Sequence, residues 1–314
     1  MISRRLLRIK VLQILYAYFQ KDDRSIPKSE KELLYSINKT HELFHYLIIL
    51  ILDIADYANS RIDIAKQKHI PSYDDLNPNT RFVNNRFVSL LRDDKSLNSY
   101  LLDNKINWVN NQELIRSIYR SFAASEEYHN FMHNDANNFE EDKNVIIHLI
   151  SVEFINNELL YTILEEKSIY WNDDIEFVLN IMVKSFKTLK ASAINLMPET
   201  FKNNDDKQFT LELFRNTVLN YEKNMLLIDK YSKNWDIERV AFMDILIMQL
   251  AISEFLEFES IPVKVTLNEY IEISKYYSTK KSNFFINGIL DKITHTLKEE
   301  NKIKKSGRGL IGEI

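Results

Sequence analysis

Two stretches carry residue types at spacings that could do chemistry. The first is His41-Glu42-Leu43-Phe44-His45. On a helix this H-E-x-x-H form puts two imidazoles on one face, with a carboxylate to activate a metal-bound water, as in zinc peptidases. Its surroundings are poor for that chemistry. No Gly-x-x-His follows, Asp53, Asp56 and Asp63 merely lie further along the same stretch, and Tyr46–Leu52 reads as ordinary buried helix. His129 and His133 share the spacing without the glutamate and read as a solvated helix face. The second stretch runs from Ile261 to Asp291. Ile261-Pro262 ends what precedes it, because the residue before proline is pushed out of the helical region. Thr266-Leu-Asn-Glu269 has the form of a capping box, so a helix is expected from there to about Tyr277. Thr279-Lys280-Lys281-Ser282 follows, with Ser282 placed to cap a second helix from about Asn283. Two lysines beside free helix-start amides make a site for a phosphate. Of the adjacent rings, Phe285 is expected to be exposed for stacking on a base and Phe284 to be the more buried.

The elements that must position these residues are helices. The 314-residue chain has only 4 glycines and 5 prolines, too few turn formers for a sheet-rich fold. It has no cysteine, which rules out disulfides, thiolate metal sites and cysteine nucleophiles and fits a reducing cytoplasm. There is no Gly-rich phosphate loop, Gly-x-Ser-x-Gly turn or dinucleotide fingerprint. No signal-type apolar core follows Met1, and the apolar run Tyr46–Leu52 is too short to span a bilayer, so the expectation is a soluble protein with no membrane partner.

Net charge is −4, which alone argues mildly against nucleic-acid binding. The distribution says more. Met1–Lys21 contains Arg4, Arg5, Arg8, Lys10 and Lys21 and no acid, and the C-terminal tail adds Lys302, Lys304, Lys305 and Arg308. Residues 3–20 read as a helix whose apolar stripe is Leu7, Val11, Ile14 and Tyr18. Arg4, Arg5 and Arg8 lie along that stripe's side. From spacing they are either snorkelling surface arginines or a basic prong projecting past the core.

Further helices are expected near 29–68, 80–103, 111–133, 142–168 and 173–192, with breaks rich in Asn, Asp and Pro. Leu149–Trp171 aligns faintly with Leu213–Trp235, sharing Asn156/Asn220 and Trp171/Trp235. Ile245–Phe255 is apolar nearly all round and should form the central helix, on which Glu254 reads as a buried carboxylate capping a neighbouring helix.

The C-terminal stretch resembles the signature of the NusB family of bacterial transcription antitermination factors. The matching residues are Pro262, Lys264, Val265, Leu267, Asn268 and Glu269, then Ile271, Glu272, Ile273 and Lys275. The second half matches at Ser282, at Phe285–Leu290 and at Asp291 and Lys292. The start, with Arg4, Arg5, Arg8, Gln13, Leu15 and Tyr16, is similar to the family's arginine-rich opening, and Leu213–Asn216 and Trp235–Phe255 to its later helices. The resemblance implies an all-α, NusB-like helical bundle with an elaborated helical insertion. Residues 1–27 and 208–297 would form the RNA-binding core, 28–207 an additional helical segment, and 298–314 a basic, flexible tail.

The resemblance also implies binding of boxA-type nascent RNA with the NusE small-subunit ribosomal protein in the transcription elongation complex, with no catalysis and no cofactor. It casts Arg4, Arg5 and Arg8 as the RNA prong and Phe285 as a member of the RNA-contacting loop. Tyr16 and Asp244 would face the NusE partner. Two residues depart from the family pattern: Lys281 stands where relatives commonly have an acid, and Phe284 where they often have lysine. Three other readings stay open. One is a helical interaction scaffold without RNA binding, one the RNA-binding module of a ribosomal RNA methyltransferase, and one a zinc peptidase through His41, Glu42 and His45.

Overall fold

The computed structural model describes residues 2–193, 196, 199–232 and 240–311, and of Lys280 and Lys281 the backbone alone. Trp235, which ends the faint repeat and opens the matched central-helix segment, lies outside the described residues. The architecture is all-α, with no strand among the described residues. In chain order the α-helices are α1 (Arg4–Gln20), α2 (Ile26–Lys66), α3 (Tyr73–Leu76), α4 (Arg86–Arg92) and α5 (Lys95–Asn104). Next come α6 (Gln112–Ala123), α7 (Glu126–His133), α8 (Phe139–His148), α9 (Glu158–Lys167) and α10 (Ile175–Thr188). The last five are α11 (Asn204–Leu219), α12 (Tyr221–Tyr231), α13 (Phe242–Glu257), α14 (Val263–Tyr277) and α15 (Lys280–Glu299).

Several expected long helices are divided, each time at a polar cap residue inside an apolar pattern. Asp94 ends the run through α4 by accepting from the Leu97 amide at 2.8 Å, which starts α5. Ser125 does the same for α7, accepting from Tyr128 at 3.1 Å. A capping hydroxyl or carboxylate satisfies an orphan amide that a continuous helix would not leave free. Between α8 and α9 the chain makes a π-helical turn, Leu149–Phe154, before Asn157 caps α9. Asn156 and Asn220, paired in the faint repeat, both stand at a helix break.

The chain forms two compact units. The terminal unit comprises residues 2–37 and 201–314, the central unit 38–200. The expected borders were 27/28 and 207/208; the first of the observed borders falls inside α2 instead.

In the terminal unit α13 is the hub. Every residue from Asp244 to Phe255 is buried, and α1, α11, α12, α14 and α15 all pack on it. A helix apolar on all sides is stable only when so surrounded. The basic tail is tied down rather than free. After α15 it returns to the α13–α14 corner, where Lys305 Nζ donates to the Phe258 carbonyl at 2.8 Å and the Ser306 amide to the Glu259 carbonyl at 3.1 Å. Gly309 makes this possible: a Cβ there would lie 1.9 Å from the Glu259 carbonyl oxygen.

In the central unit α2 supplies the spine, from Leu43 to Ala58, for a core closed by Trp108, Phe122, Phe154, Trp171 and Phe186. Both indoles donate to α2 carbonyls, Trp108 to Tyr46 at 2.9 Å and Trp171 to Lys39 at 2.7 Å. The apolar part of α2 is longer than Tyr46–Leu52. By length and composition this 41-residue helix could cross a membrane, but 67% of its apolar window is buried inside the protein.

Replacing Gly309 by alanine should undock the tail. Lys305 and Arg308 should then be cleaved by trypsin much faster than in the parent, with the thermal midpoint little changed; equal cleavage rates would show that the tail is not held at this corner.

Candidate nucleic-acid interface

The arginines of α1 do not form a common prong. Ser3 caps the helix, accepting from the Leu6 amide at 3.3 Å, and the expected stripe of Leu7, Val11, Ile14 and Tyr18 is buried. Arg8 lies in that buried face, 2% exposed. Its guanidinium makes a two-point contact with Glu254 of α13, at 2.8 and 2.6 Å. Two hydroxyls from α14 complete the carboxylate's shell: Thr266 Oγ1 donates to one oxygen at 2.8 Å and the Tyr270 phenol to the other at 3.1 Å. Burial pulls the Arg8 pKa down, but the charge and hydrogen bonds of Glu254 outweigh it and the group stays ionised. Burial and then the charge of Glu254 hold the Tyr270 phenol well above its usual range, so it remains a donor. Arg8 is therefore a core residue, and its assignment to an RNA prong is corrected. Glu254 is not a helix cap but the acceptor for three neighbours.

Thr266 and Glu269 are not a capping box either. The helix begins earlier, with Pro262 at the cap position and Val263 as its first residue. This agrees with proline's fixed φ and missing amide hydrogen, both harmless at a helix start. Glu269 instead receives Arg5 in a two-point pair at 2.9 Å on both arms, and the hydrogen bond to Glu269 raises the Arg5 pKa. Arg4 bonds Asp206 of α11 at 2.7 Å and lies over the Phe209 ring. The side chains of Arg4 and Arg5 remain 41% and 37% exposed, so both can still meet a ligand at the surface.

At the α14–α15 turn the cap is Thr279, not Ser282. Thr279 Oγ1 accepts from the Ser282 amide at 3.2 Å, and α15 starts at Lys280. The amides of Lys280 and Lys281 are thus the first of the helix, while that of Ser282 is occupied. The side chains of Lys280 and Lys281 lie outside the described residues. The order of the two rings is the reverse of the expected one: Phe285 is buried and Phe284 is 83% exposed. Neighbours on a helix lie about 100° apart, so only one can face the core. Phe285 shares its side with Ile289, Leu290 and Ile293, which are buried as well. Tyr276, in the last turn of α14, is exposed as well.

Tyr16 and Asp244 are placed differently from one another. Tyr16 is 40% exposed, its ring 5.9 Å from that of Phe242. Asp244 is buried and accepts a hydrogen bond from the Ser278 hydroxyl, so it is not open to a partner. Beside Tyr16 the sequence reading missed an aromatic hollow of about 400 Å³ lined by Phe19, Arg24, Tyr221 and Phe242. Phe19 and Tyr221 meet there at 4.4 Å, and Arg24 lies over the Phe19 ring. Its only signal in the sequence is the pair of rings, Tyr16 and Phe19, beside the stripe of α1.

In the central unit His41 and His45 are committed to other contacts. His45 Nδ1 bonds the His41 carbonyl at 2.8 Å, and its ring stacks on Tyr100 at 3.8 Å. Glu42 pairs with Lys39 at 2.7 Å. Among the described residues no group of three or more His, Asp or Glu is close enough to hold a metal ion.

Similarity to known proteins runs from the last part of the central unit into α15 of the terminal unit and leaves out residues 2–37. The family model described as "NusB family" matches residues 176–295. The transcription antitermination protein NusB of Salinibacter ruber is 42% identical over 106 residues, 34% of this chain and 66% of that protein. That of Chloroherpeton thalassium is 40% identical over 105 residues, 33% of this chain and 50% of the relative. That of Natranaerobius thermophilus is 40% identical over 95 residues, 30% and 68%. The chain thus spans about half to two thirds of the length of these curated relatives. No solved structure matches it.

Two predictions concern the groups just placed. Replacing Glu254 by leucine leaves a buried arginine without its partner and should cost about 3–5 kcal/mol in denaturant unfolding. The double replacement Arg8→Met/Glu254→Leu should recover most of that loss; a double variant as unstable as the single one would mean that the pair itself stabilises the fold. Burial, chiefly, lowers the His45 pKa to about 4. Between that value and about 6.5 the unfolded chain binds a proton the folded chain refuses, so stability falls as pH drops through this window, by up to about 3 kcal/mol. Asp53 acts the other way, since burial and then Asp56 raise its carboxyl to about 6. His45→Phe, which keeps the stack on Tyr100, should remove the His45 contribution and flatten the acid side of the stability curve relative to the parent.

Proposed function

Because this chain belongs to the NusB family, we propose that its terminal unit binds boxA-type nascent RNA together with a NusE-type small-subunit ribosomal protein. In this reading the pair acts in the elongation complex against termination, in the cytoplasm, and the chain is a binding protein rather than an enzyme. The observation that carries the reading is Phe284, an 83% exposed ring in the first turns of α15. An exposed ring offers a face on which a base can stack, and such stacking contributes about 1–3 kcal/mol per base. The ring is set next to helix-start amides at Lys280 and Lys281, where the helix dipole favours a phosphate. Arg4 and Arg5 are the further cations of this reading, already held in fixed orientations by Asp206 and Glu269. Arg8 and Phe285 serve it from the core, by positioning α1 and α15.

For the protein partner, the aromatic hollow beside Tyr16 supports a contact surface. It combines three half-buried rings with Arg24, beside Gln20 and Glu222, and aromatic and arginine side chains are enriched in binding hot spots. Leu219 and Leu226 are also exposed on the neighbouring helices α11 and α12.

The test is a titration of the purified protein with boxA-type RNA, with and without the ribosomal partner. Phe284→Ala should lower RNA affinity about tenfold or more and leave stability within about 0.5 kcal/mol. Phe285→Ala should instead cost about 3–5 kcal/mol of stability. If Phe284→Ala leaves RNA affinity unchanged, the stacking role is wrong.

A further inference from the structure

The central unit contains a second surface with a charge that its composition would not suggest. Residues 38–200 include 16 Lys and Arg against 24 Asp and Glu. Yet a groove of about 1020 Å³ between the C-terminal part of α2 and α6 is lined by Arg61 and Lys68 on one wall and by Arg116 and Arg120 on the other. Asp75 is the one acidic residue lining it, and it is paired with Lys68 at 2.8 Å. Arg61, Arg116 and Arg120 are exposed and make no ion pair among the described residues.

The groove follows from helix periodicity. Leu114, Ile115, Ile118 and Phe122 turn one face of α6 into the core. Arg116, Tyr119, Arg120 and Ala123 form the opposite stripe, at the three- and four-residue steps of a single helix face. Tyr57, Arg61, Ile64 and Ala65 form the matching stripe of α2, and Lys68 follows in the turn after it. Tyr57 and Tyr119 meet edge to face at 5.4 Å, and Ile64 is left 66% exposed.

We propose that this groove holds a single-stranded segment of RNA, independently of the surface in the terminal unit. Cations on both walls favour a ligand dense in negative charge, and each phosphodiester of a polynucleotide offers two unesterified oxygens that neighbouring cations can share. Three of the four cations are arginines, whose planar forks fit phosphate oxygens at two points. The stripe on α2 runs about 12 Å from Tyr57 to Ala65, room for roughly three or four nucleotides at about 3.4 Å each. The tyrosine rings and Ile64 give the bases apolar surface to lie on.

The experiment uses the full chain and a labelled single-stranded oligouridylate of about twenty nucleotides, followed by fluorescence anisotropy over a range of salt, beside a boxA-type RNA. The triple variant Arg61→Glu/Arg116→Glu/Arg120→Glu should keep the parent's thermal midpoint. It should bind oligouridylate at least tenfold more weakly, with a salt slope lower by about 2, the value for three lost phosphate contacts on a single strand. Phe284→Ala should leave oligouridylate binding by the groove unchanged while weakening boxA-type RNA. Unaltered oligouridylate affinity and slope in the triple variant would overturn the inference, whatever Phe284→Ala does to boxA-type RNA. Absence of binding to either RNA by the parent would overturn both readings. Binding of polyglutamate in place of RNA, lost in the triple variant, would overturn it in favour of an acidic protein ligand.

Discussion

The terminal unit depends on one buried ion pair. Arg8 comes from α1, near the start of the chain, and Glu254 from α13, nearly at its other end. Thr266 and Tyr270 bring α14 to the same carboxylate. An isolated charge at such depth would cost several kcal/mol, so neither charge is tolerable without the other. The network therefore acts as a register pin: it admits one rotation of α1 about its axis and one of α14. With those set, Arg4 and Arg5, on the adjacent turns of α1, must emerge at the surface beside α11 and α14, where Asp206 and Glu269 meet them. Apolar packing alone specifies such rotations weakly, because α13 is apolar on every side and offers many equivalent seats.

Much of this was legible in the sequence, but as halves of pairs. The apolar stripe of α1 and the all-round apolarity of α13 marked the core correctly. The two anomalies, Arg8 on the stripe and Glu254 on the apolar helix, were read separately, one as a ligand contact and one as a cap. Each is the explanation of the other: a lone cation and a lone carboxylate, each in an otherwise apolar setting, are affordable only together. Thr266 and Glu269 show the converse error. Their spacing satisfies the capping-box pattern, but the same spacing places them on one helix face, and proline at position 262 had already supplied a helix start. At the α14–α15 turn the competing caps were Thr279 and Ser282. The choice shifts the helix start by three residues without altering its phase, so the cap did not decide which phenylalanine is buried. That was decided by the continuing apolar series Phe285, Ile289, Leu290 and Ile293, a pattern visible in the sequence.

The central unit was harder to delimit for a physical reason. Its first border lies within α2, between residues 37 and 38. Local sequence announces helix ends through caps, prolines and glycines, and Ser25 and Pro27 do announce the start of this one. Nothing local announces the point along a continuous helix where burial passes from one core to another. Leu33 and Ile37 are buried in the first, and Leu43 and Leu47 in the second, at the same helical periodicity. Only the tertiary partners differ, and those are supplied by residues far away in the chain, such as Trp108 and Trp171.

The two indole hydrogen bonds show how a core can be attached to a helix that carries no break. A helix carbonyl has a second lone pair after accepting from its own ladder, and Tyr46 and Lys39 use theirs for the indoles. Thr40 adds a third tie, its hydroxyl donating to Asp174 at 2.5 Å. These ties are polar, directional and spaced along about two turns of α2, so they fix both its rotation and its axial position relative to the central core. Apolar residues on the same face, from Leu43 to Ala58, could slide by a turn with little loss, and the indoles would meet equivalent carbonyls, whereas such a shift would take the Thr40 hydroxyl away from the buried Asp174 carboxylate. Polar anchors thus set the register in both units, a carboxylate shared by three side chains in one and the Thr40–Asp174 hydrogen bond in the other. In each case the apolar pattern supplies the stability and the polar contact selects the arrangement.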